Sequence, residues 1–343
     1  MVYGHDIHRQ RNKCRFLAFH RQYVCVNETD ICLGRNGPIN CHNYLRLGYS
    51  RLTRGVYGHL ADDVVDVYEA RRRRFLTQVR ALTALSAGSD WALYGPTALQ
   101  VMGVALPSSV EDWERCHIVV PRDAYKPRRA GLIVHETDDF RIWRRFGGMP
   151  VQNPVDHWTQ LRGASEDELV EVGDGLVRRQ SPLMTIDEIN NRLKQLAGVR
   201  GIDAVRRAMR WVVAGTDSLY ETRVRTTIRH AGLPIPSVDV PAYIRSTGMT
   251  LHLDMGYEDK QIGVEYDGLV HVGDRHQMEI DAARHRDLLV EGWFVFKVTA
   301  AQLHDPAQFL RPLEQALIMR HGRHSGLSLT QQPPPRQQSQ GRP

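Results

Sequence analysis

Residues 251–268, LHLDMGYEDKQIGVEYDG, decide how the last third of the chain folds. Polar and apolar residues alternate over 251–257, which predicts a half-buried strand. Residues 258–260 predict a tight turn, and 261–266 predict a second strand that Asp267-Gly268 ends. Because the turn is so short, the two strands are expected to be antiparallel neighbours in one sheet.

The elements around this hairpin complete a mixed α/β domain. The apolar pattern predicts a helix over 216–230, an extended segment from residue 238, a helix over 275–291, a buried apolar strand over 293–299 and a helix over 306–320. The predicted order of elements is therefore α-β-β-β-α-β-α.

Two carboxylates stand on the neighbouring strands of this hairpin. Asp254 lies on the first strand, and Glu265 lies on the second, 11 residues later. Both can reach one point in space, where two hard oxygen donors suit Mg²⁺. A metal ion there would orient a water and lower its pKa for attack on a phosphodiester. An arginine partner would instead give the two acids a structural role, since an unpaired charge in an apolar strand is costly.

The order of elements and the residues on them resemble a known nuclease fold. Residues 216–320 resemble the restriction-endonuclease-like PD-(D/E)xK core, and more narrowly the family related to very-short-patch-repair endonucleases. The matching residues are Leu253-Asp254, Val264-Glu265-Tyr266-Asp267-Gly268-x-x-His271, Asp281-x-x-Arg284, Gly292-Trp293-x-Val295 and Val298-Thr299.

The resemblance implies a metal site formed by three carboxylates. These would be Glu221 on a helix and Asp254 and Glu265 on strands, with Mg²⁺ as the cofactor. The lysine of the family's E-x-K motif is absent, and Asp267 stands in its place. The short-patch-repair relatives also lack that lysine and use histidines near the site.

The resemblance also implies residues that would contact the substrate. His271 is the candidate general acid or base, because an imidazole titrates near neutral pH. Lys297 on the following strand would bring positive charge to the phosphate, and Arg284 is a candidate DNA contact. Several of these residues have an alternative interpretation: Ser218-x-x-Glu221 is a capping box, Asp267-Gly268 is a turn signal, His271 suits a surface loop, and Asp281 and Arg284 suit an ion pair within one helix.

The front of the chain carries a second resemblance. Residues 44–60, which contain Arg-Leu-Thr-Arg-Gly-Val-Tyr, resemble the end of the winged-helix region of AbiEi-type antitoxins, and residues 94–104 resemble the start of the domain that follows it. The resemblance implies a DNA-binding winged helix and a domain that neutralises a cognate toxin or tunes promoter binding. Arg51 and Arg54 would flank the wing and contact phosphate, although a plain basic hairpin is an equal interpretation.

The remaining sequence divides into predicted segments. Helices are expected over 62–86, 153–163, 184–197 and 202–213, and strands over 91–94, 117–120 and 131–135. The predicted organisation is an irregular segment over 1–40, a partial winged helix over 41–61, an AbiEi-like α/β domain over 62–213, an endonuclease-like domain over 214–320, and a disordered tail over 321–343. Two interpretations fit Cys14, Cys25, Cys32 and Cys41: a zinc site, or reduced thiols in an irregular segment. The spacing of the four residues favours the reduced thiols.

Composition limits the class of protein. The 343 residues are 42% hydrophobic and 24% charged, with a net charge of +6, which is typical of a folded domain and permits a nucleic-acid partner. No apolar run is long enough to cross a bilayer and no secretion signal is present, so we expect a cytoplasmic protein with no membrane partner. The sequence contains no glycine-rich phosphate loop of standard spacing, so we expect no small-molecule cofactor. The prediction is a DNA-acting protein, either a metal-dependent endonuclease or a non-catalytic regulator or antitoxin that keeps the nuclease fold.

Overall fold

The computed structural model describes residues 31–33, 50–53, 56–58, 67–84, 90–110, 115–268 and 275–321. The chain divides into two compact units, Met1–Gly103 with Asp112–Gln152, and Val104–Glu111 with Asn153–Pro343. The predictions for most of residues 1–40, the tail after residue 321, Arg54 and His271 lie outside the described residues.

The first unit contains two sheets. Strands β1 (Ile31–Leu33), β3 (Val56–Gly58) and β2 (Ser50–Thr53) pair antiparallel in that order, so a hairpin that includes Arg51 lies where the wing is predicted. The second sheet has the order β6-β5-β4-β8-β7. Along the chain, its strands and the helices before and between them are α1 (Val67–Ala84), β4 (Ala92–Leu93), α2 (Gly95–Val101), β5 (Cys116–Pro121), β6 (Leu132–Thr137), β7 (Arg144–Phe146) and β8 (Met149–Val151).

The second unit begins with four helices and continues with a four-stranded sheet. The helices are α3 (Pro154–Trp158), α4 (Glu166–Leu176), α5 (Ile186–Gln195) and α6 (Ile202–Ala208). The remaining elements are α7 (Leu219–His230), β9 (Ser237–Ile244), β10 (Met249–Tyr257), β11 (Ile262–Asp267), α8 (Arg275–Val290), β12 (Phe294–Thr299), α9 (Ala300–His304) and α10 (Ala307–His321).

The C-terminal sheet has the order β12-β11-β10-β9. Strands β9, β10 and β11 are antiparallel neighbours, whereas β12 runs parallel to β11 after the crossover through α8. The predicted mixed α/β class is confirmed, and the order of these elements is the predicted one, with the short helix α9 as an addition. Helices α3 and α6 end five residues before the predicted ends at 163 and 213. No helix in the described ranges is long and apolar enough to cross a bilayer.

Two hydrophobic clusters hold helices against this sheet. One packs α7 and α10 on β10, β11 and β12, with Ile228, Val264 and Leu313 fully buried. The other packs Leu288 of α8 against Leu253 of β10. Close packing also explains a glycine on β11, because a Cβ at position 263 would lie 2.8 Å from a methyl carbon of Leu253. Helices α7 and α10 therefore pack on one cluster and α8 on the other, which fixes α7 and α8 beside the ends of β10 and β11.

Buried charge joins helix α4 to helix α7. Asp174 and Arg225 are 1% and 3% exposed and lie 2.6 Å apart. The Asp174 carboxylate also accepts hydrogen bonds from the Thr222 hydroxyl at 2.7 Å and the Val213 N–H at 2.8 Å. Burial raises the pKa of Asp174, which shows how strongly its charge depends on these partners. This network holds α7 in place, and α7 carries Glu221.

Removing one partner of this buried pair should be costly. We expect Arg225→Met to lower the free energy of unfolding by about 3–5 kcal/mol, because it leaves the Asp174 carboxylate buried without its cation. The matched control is Arg207→Met, since Arg207 pairs with Glu166 at 3.7 Å while both are largely exposed, at 57% and 41%. That change should cost about 0–1 kcal/mol. Urea unfolding of both variants checks this, and equal losses would contradict it.

Candidate functional site

Asp254 lies where the regular pairing of β10 with β11 ends. The ladder runs from Tyr257 opposite Ile262 to Met255 opposite Val264, and Asp254 is the next residue. Its Oδ2 accepts a hydrogen bond from the Tyr266 N–H at 2.9 Å. A side-chain carboxylate thus takes the place of a main-chain acceptor, which fixes the Asp254 side chain between the ends of the two strands.

Glu265 lies between two cationic side chains. Its Oε1 accepts a hydrogen bond from Arg284 Nη2 at 2.7 Å, and the same nitrogen donates to the His252 carbonyl at 2.6 Å. Lys297 stands directly beside Glu265 on the parallel strand β12 and is exposed. The arginine partner considered in the sequence analysis is therefore present. Arg284 pairs with the strand Glu265, across the helix–sheet contact.

A polar cleft of about 210 Å³ opens over these residues. It brings together five of the predicted site residues with Asp281, which carries part of the resemblance, and with His285, which the sequence did not single out. The lining residues are Asp254, Glu265, Tyr266, Asp267, Asp281, Arg284, His285, Leu288 and Lys297.

Helix α8 contributes four of these lining residues at helical spacing. Asp281, Arg284, His285 and Leu288 follow the i, i+3, i+4, i+7 pattern, so they share one face. His285 is exposed, and no hydrogen bond or ion pair to another described residue is made by its ring. The helical period of 281–288, with Asp281 and Arg284 already named, would have identified His285 from sequence.

Glu221 occupies the first turn of α7, whose N-cap is Ser218. Its N–H donates to the Ser218 hydroxyl at 3.1 Å, and its Oε2 accepts from the Asp217 N–H at 2.9 Å. The side chain does not line the cleft. Burial and the nearby Asp254 carboxylate raise the pKa of Glu221 to about 7. The Ser218 cap is therefore observed, but the return bond of a capping box is not, because Glu221 accepts from Asp217 and not from Ser218. A metal-ligand role for Glu221 stays a prediction.

The same charges act on Asp254. Burial is the largest cause that raises its pKa, to about 6, and the Glu265 carboxylate raises it further. The Tyr266 N–H, Arg284 and Arg179 act in the opposite direction. The carboxylates therefore repel one another, and the neighbouring cations compensate only in part.

A network around Arg179 supports the cleft from β9. The guanidinium donates to Asp217 and, at 2.6 Å, to Asp239, and His252 Nδ1 lies 2.9 Å from the Asp239 carboxylate. Asp239 has a φ of +52°, in the left-handed region, so β9 departs from regular strand geometry beside Asp254. These contacts hold a positive charge close enough to lower the pKa of Asp254.

The donor set fits a hard divalent cation in part. Mg²⁺ needs only one or two carboxylates when waters and substrate phosphate complete its octahedron, and Asp254 and Glu265 supply two. Among the described residues no group of three or more His, Cys, Asp or Glu side chains is arranged to hold a metal. Arg284 also competes for Glu265 Oε1. The two strand carboxylates are thus the residues that would hold such an ion.

Comparison with known proteins identifies relatives but no family. Two proteins of Mycobacterium tuberculosis, from strains CDC 1551 / Oshkosh and ATCC 25618 / H37Rv, are each 25% identical to this chain over 243 residues. The aligned region covers 68% of this chain and 82% of each relative, and both relatives are named as uncharacterized proteins. No family profile matches the chain, and no solved structure matches it significantly.

The raised pKa of Asp254 predicts how stability depends on pH. A carboxyl whose pKa is higher in the folded state than in the unfolded state destabilises the fold above that pKa, because its charged form is disfavoured there. Asp254→Asn removes this charge and can still accept the Tyr266 N–H. We expect it to raise the free energy of unfolding by about 3 kcal/mol at pH 8 without divalent ions, and to have little effect below pH 4.

Chemical denaturation between pH 4 and pH 8 in EDTA measures this difference. Asp203→Asn is the matched control, because Asp203 is 83% exposed and its substitution should change little at any pH. A constant difference between Asp254→Asn and the parent across this range would contradict the expectation.

Proposed function

We propose that this protein is a metal-dependent DNA endonuclease whose site is the cleft at the ends of β10 and β11. The observation that carries the proposal is Asp254, a carboxylate held by the Tyr266 N–H, with its pKa raised to about 6, beside a second carboxylate in a polar cleft. A perturbed acid in a cleft is typical of a functional site. The resemblance to the short-patch-repair endonucleases supports DNA as the substrate.

Asp254 and Glu265 would hold the divalent cation. When bound, such an ion supplies a Lewis acid that activates a water and neutralises charge on the phosphate. The Tyr266 N–H orients Asp254, so the carboxylate does not reorganise on binding. Arg284 holds Glu265 in position before the cation binds. When Glu265 instead holds the cation, the Arg284 guanidinium can contact a DNA phosphate.

The cleft also contains Lys297 and His285. Lys297 is exposed beside Glu265, and its ammonium can pair with a non-bridging oxygen of the scissile phosphate. His285 lies on the cleft face of α8 and can deliver a proton to the oxygen that leaves as the phosphorus–oxygen bond breaks. His285 thus takes in this proposal the role that the sequence analysis gave to His271.

A non-catalytic role is the second candidate. The Arg284–Glu265 ion pair at 2.7 Å neutralises one of the two carboxylates without a metal, as expected of a nuclease fold kept for binding. The AbiEi-type resemblance of the front of the chain supports a transcriptional regulator or antitoxin with a cognate toxin. Such a protein would bind DNA and leave it intact.

A cleavage assay separates the two candidates. The substrates are supercoiled plasmid, single-stranded DNA and mismatched duplex, each with Mg²⁺ or Mn²⁺. We expect nicking by the parent to fall about 100-fold or more in Asp254→Asn and in Glu265→Gln, because each removes a charged oxygen donor. Asp203→Asn should cleave like the parent. Parental cleavage by both site variants would overturn the proposal, and intact DNA with every protein would favour the regulator.

The role of His285 has its own test. We expect His285→Gln to slow cleavage about 100-fold, since general acid catalysis contributes about 10²–10⁴-fold. A substrate with sulfur in place of the leaving oxygen needs no proton, so the variant should cleave it nearly as fast as the parent does. An equal loss on both substrates would show that His285 does not act as the acid.

A further inference from the structure

The segment 140–148, FRIWRRFGG, combines three arginines with three aromatic residues and contains no acidic residue. It forms β7 and the turn to β8 in the first unit, far along the chain from the cleft residues. Strand β7 is the edge of its sheet and pairs only with β8, whose three residues are buried. Arg144 and Arg145 on β7 are exposed. The hairpin therefore presents a basic outer strand on a buried inner one.

The charges of this strand are not neutralised by neighbouring acids. Arg144 lies over the Trp143 ring at 4.1 Å, and Arg145 Nη1 donates to the Gly148 carbonyl at 3.0 Å. Within the described ranges, neither arginine forms an ion pair with an acidic side chain. A third guanidinium is close, because a Cβ at Gly147 would lie 2.8 Å from Arg80 Nη2. The contacts of Arg144 with the Trp143 ring and of Arg145 with the Gly148 carbonyl orient these two guanidinium groups without neutralising their charge.

Several contacts hold the β7–β8 hairpin in one conformation. The two glycines of the turn have φ values of +53° and +81°, in the region that glycine favours, and the Trp143 N–H donates to the Val151 carbonyl at 2.8 Å. The half-buried rings of Trp143 and Phe146 stack with centroids 6.4 Å apart. Planar guanidinium groups on a rigid support lose little conformational entropy when they bind phosphate in a forked geometry.

We propose that the β7–β8 edge is a DNA-binding surface that contacts the phosphate backbone through Arg144 and Arg145. Charge complementarity selects this occupant, because the planar guanidinium fork matches the oxygens of a phosphate, and neither Arg144 nor Arg145 is neutralised by an acidic side chain of the described residues. Such contacts bind DNA without reading its sequence. The surface belongs to the first unit, so it holds whether or not the cleft cleaves DNA.

Salt dependence of binding tests this surface directly. The full-length protein, in EDTA to prevent cleavage, is titrated against a labelled 30-base-pair duplex between about 0.05 and 0.3 M salt. Each lost phosphate contact should lower the slope of log K against log salt by about 0.9. We expect Arg144→Gln/Arg145→Gln to lower it by about 1.8 and to weaken binding about 10–60-fold at 0.1 M salt.

The matched control carries the same loss of charge elsewhere in the unit. Arg128 and Arg129 are adjacent and exposed before β6, at the other edge of the same sheet. Arg128→Gln/Arg129→Gln should leave the slope nearly unchanged, whereas Arg144→Lys/Arg145→Lys should retain it. The single variant Arg144→Gln, which disturbs the hairpin least, should lower it by about 0.9.

Several outcomes would overturn the proposal. Equal losses in the two glutamine pairs would mean that only diffuse charge matters, and an unchanged slope in the hairpin variants, or no DNA binding by the parent, would remove the surface altogether. Arginines on an edge strand can also prevent strands from pairing between molecules. Self-association of the hairpin variant, with unchanged DNA affinity of its monomer, would show that this is their role.

Discussion

The repulsion between carboxylates at the end of the β10–β11 ladder is the constraint on which the second unit depends. Folding brings Asp254 beside Glu265 and close to Glu221, and burial together with the Asp254 carboxylate raises the pKa of Glu221 to about 7. Burial is the largest cause that raises the pKa of Asp254, repulsion from Glu265 adds to it, and the Tyr266 N–H and nearby guanidinium groups compensate only in part. A structural network seldom leaves such charge uncompensated, whereas a site that receives a cation gains from it.

The surrounding elements are arranged so that this charge is tolerated. Helix α8 brings Arg284 to Glu265, and the segment after α4 carries Arg179, which its contacts with Asp217 and Asp239 hold near Asp254. The buried Asp174–Arg225 pair fixes α7 against α4. Each supporting cation thus comes from a different element, and the compensation exists only in the folded chain. Because these cations reach the carboxylates only after packing, the stability of the second unit depends on the charge of the candidate site.

Much of this arrangement could be predicted from sequence, and the rest depends on tertiary contacts. Strict alternation over 251–257 and the polar turn after it predicted β10, β11 and the placement of Asp254 and Glu265. The partner of Arg284 could not be predicted, because Asp281 lies three residues away on the same helix while Glu265 is reached only after packing. Helix α4 was missed despite the capping box of Ser165 and Glu168, and the β7–β8 hairpin was missed because its strands have three residues each.

The most direct measurement is cation binding by the two strand carboxylates. Electron paramagnetic resonance counts free Mn²⁺ in the presence of the parent, Asp254→Asn, Glu265→Gln and the exposed control Asp203→Asn. If a cation relieves the repulsion, the parent and the control should each bind one Mn²⁺, and either site variant should bind it much more weakly. Binding should become tighter as the pH rises above 6 and Asp254 loses its proton. Binding that is equal in all four proteins, or absent from the parent, would contradict a metal site at Asp254 and Glu265.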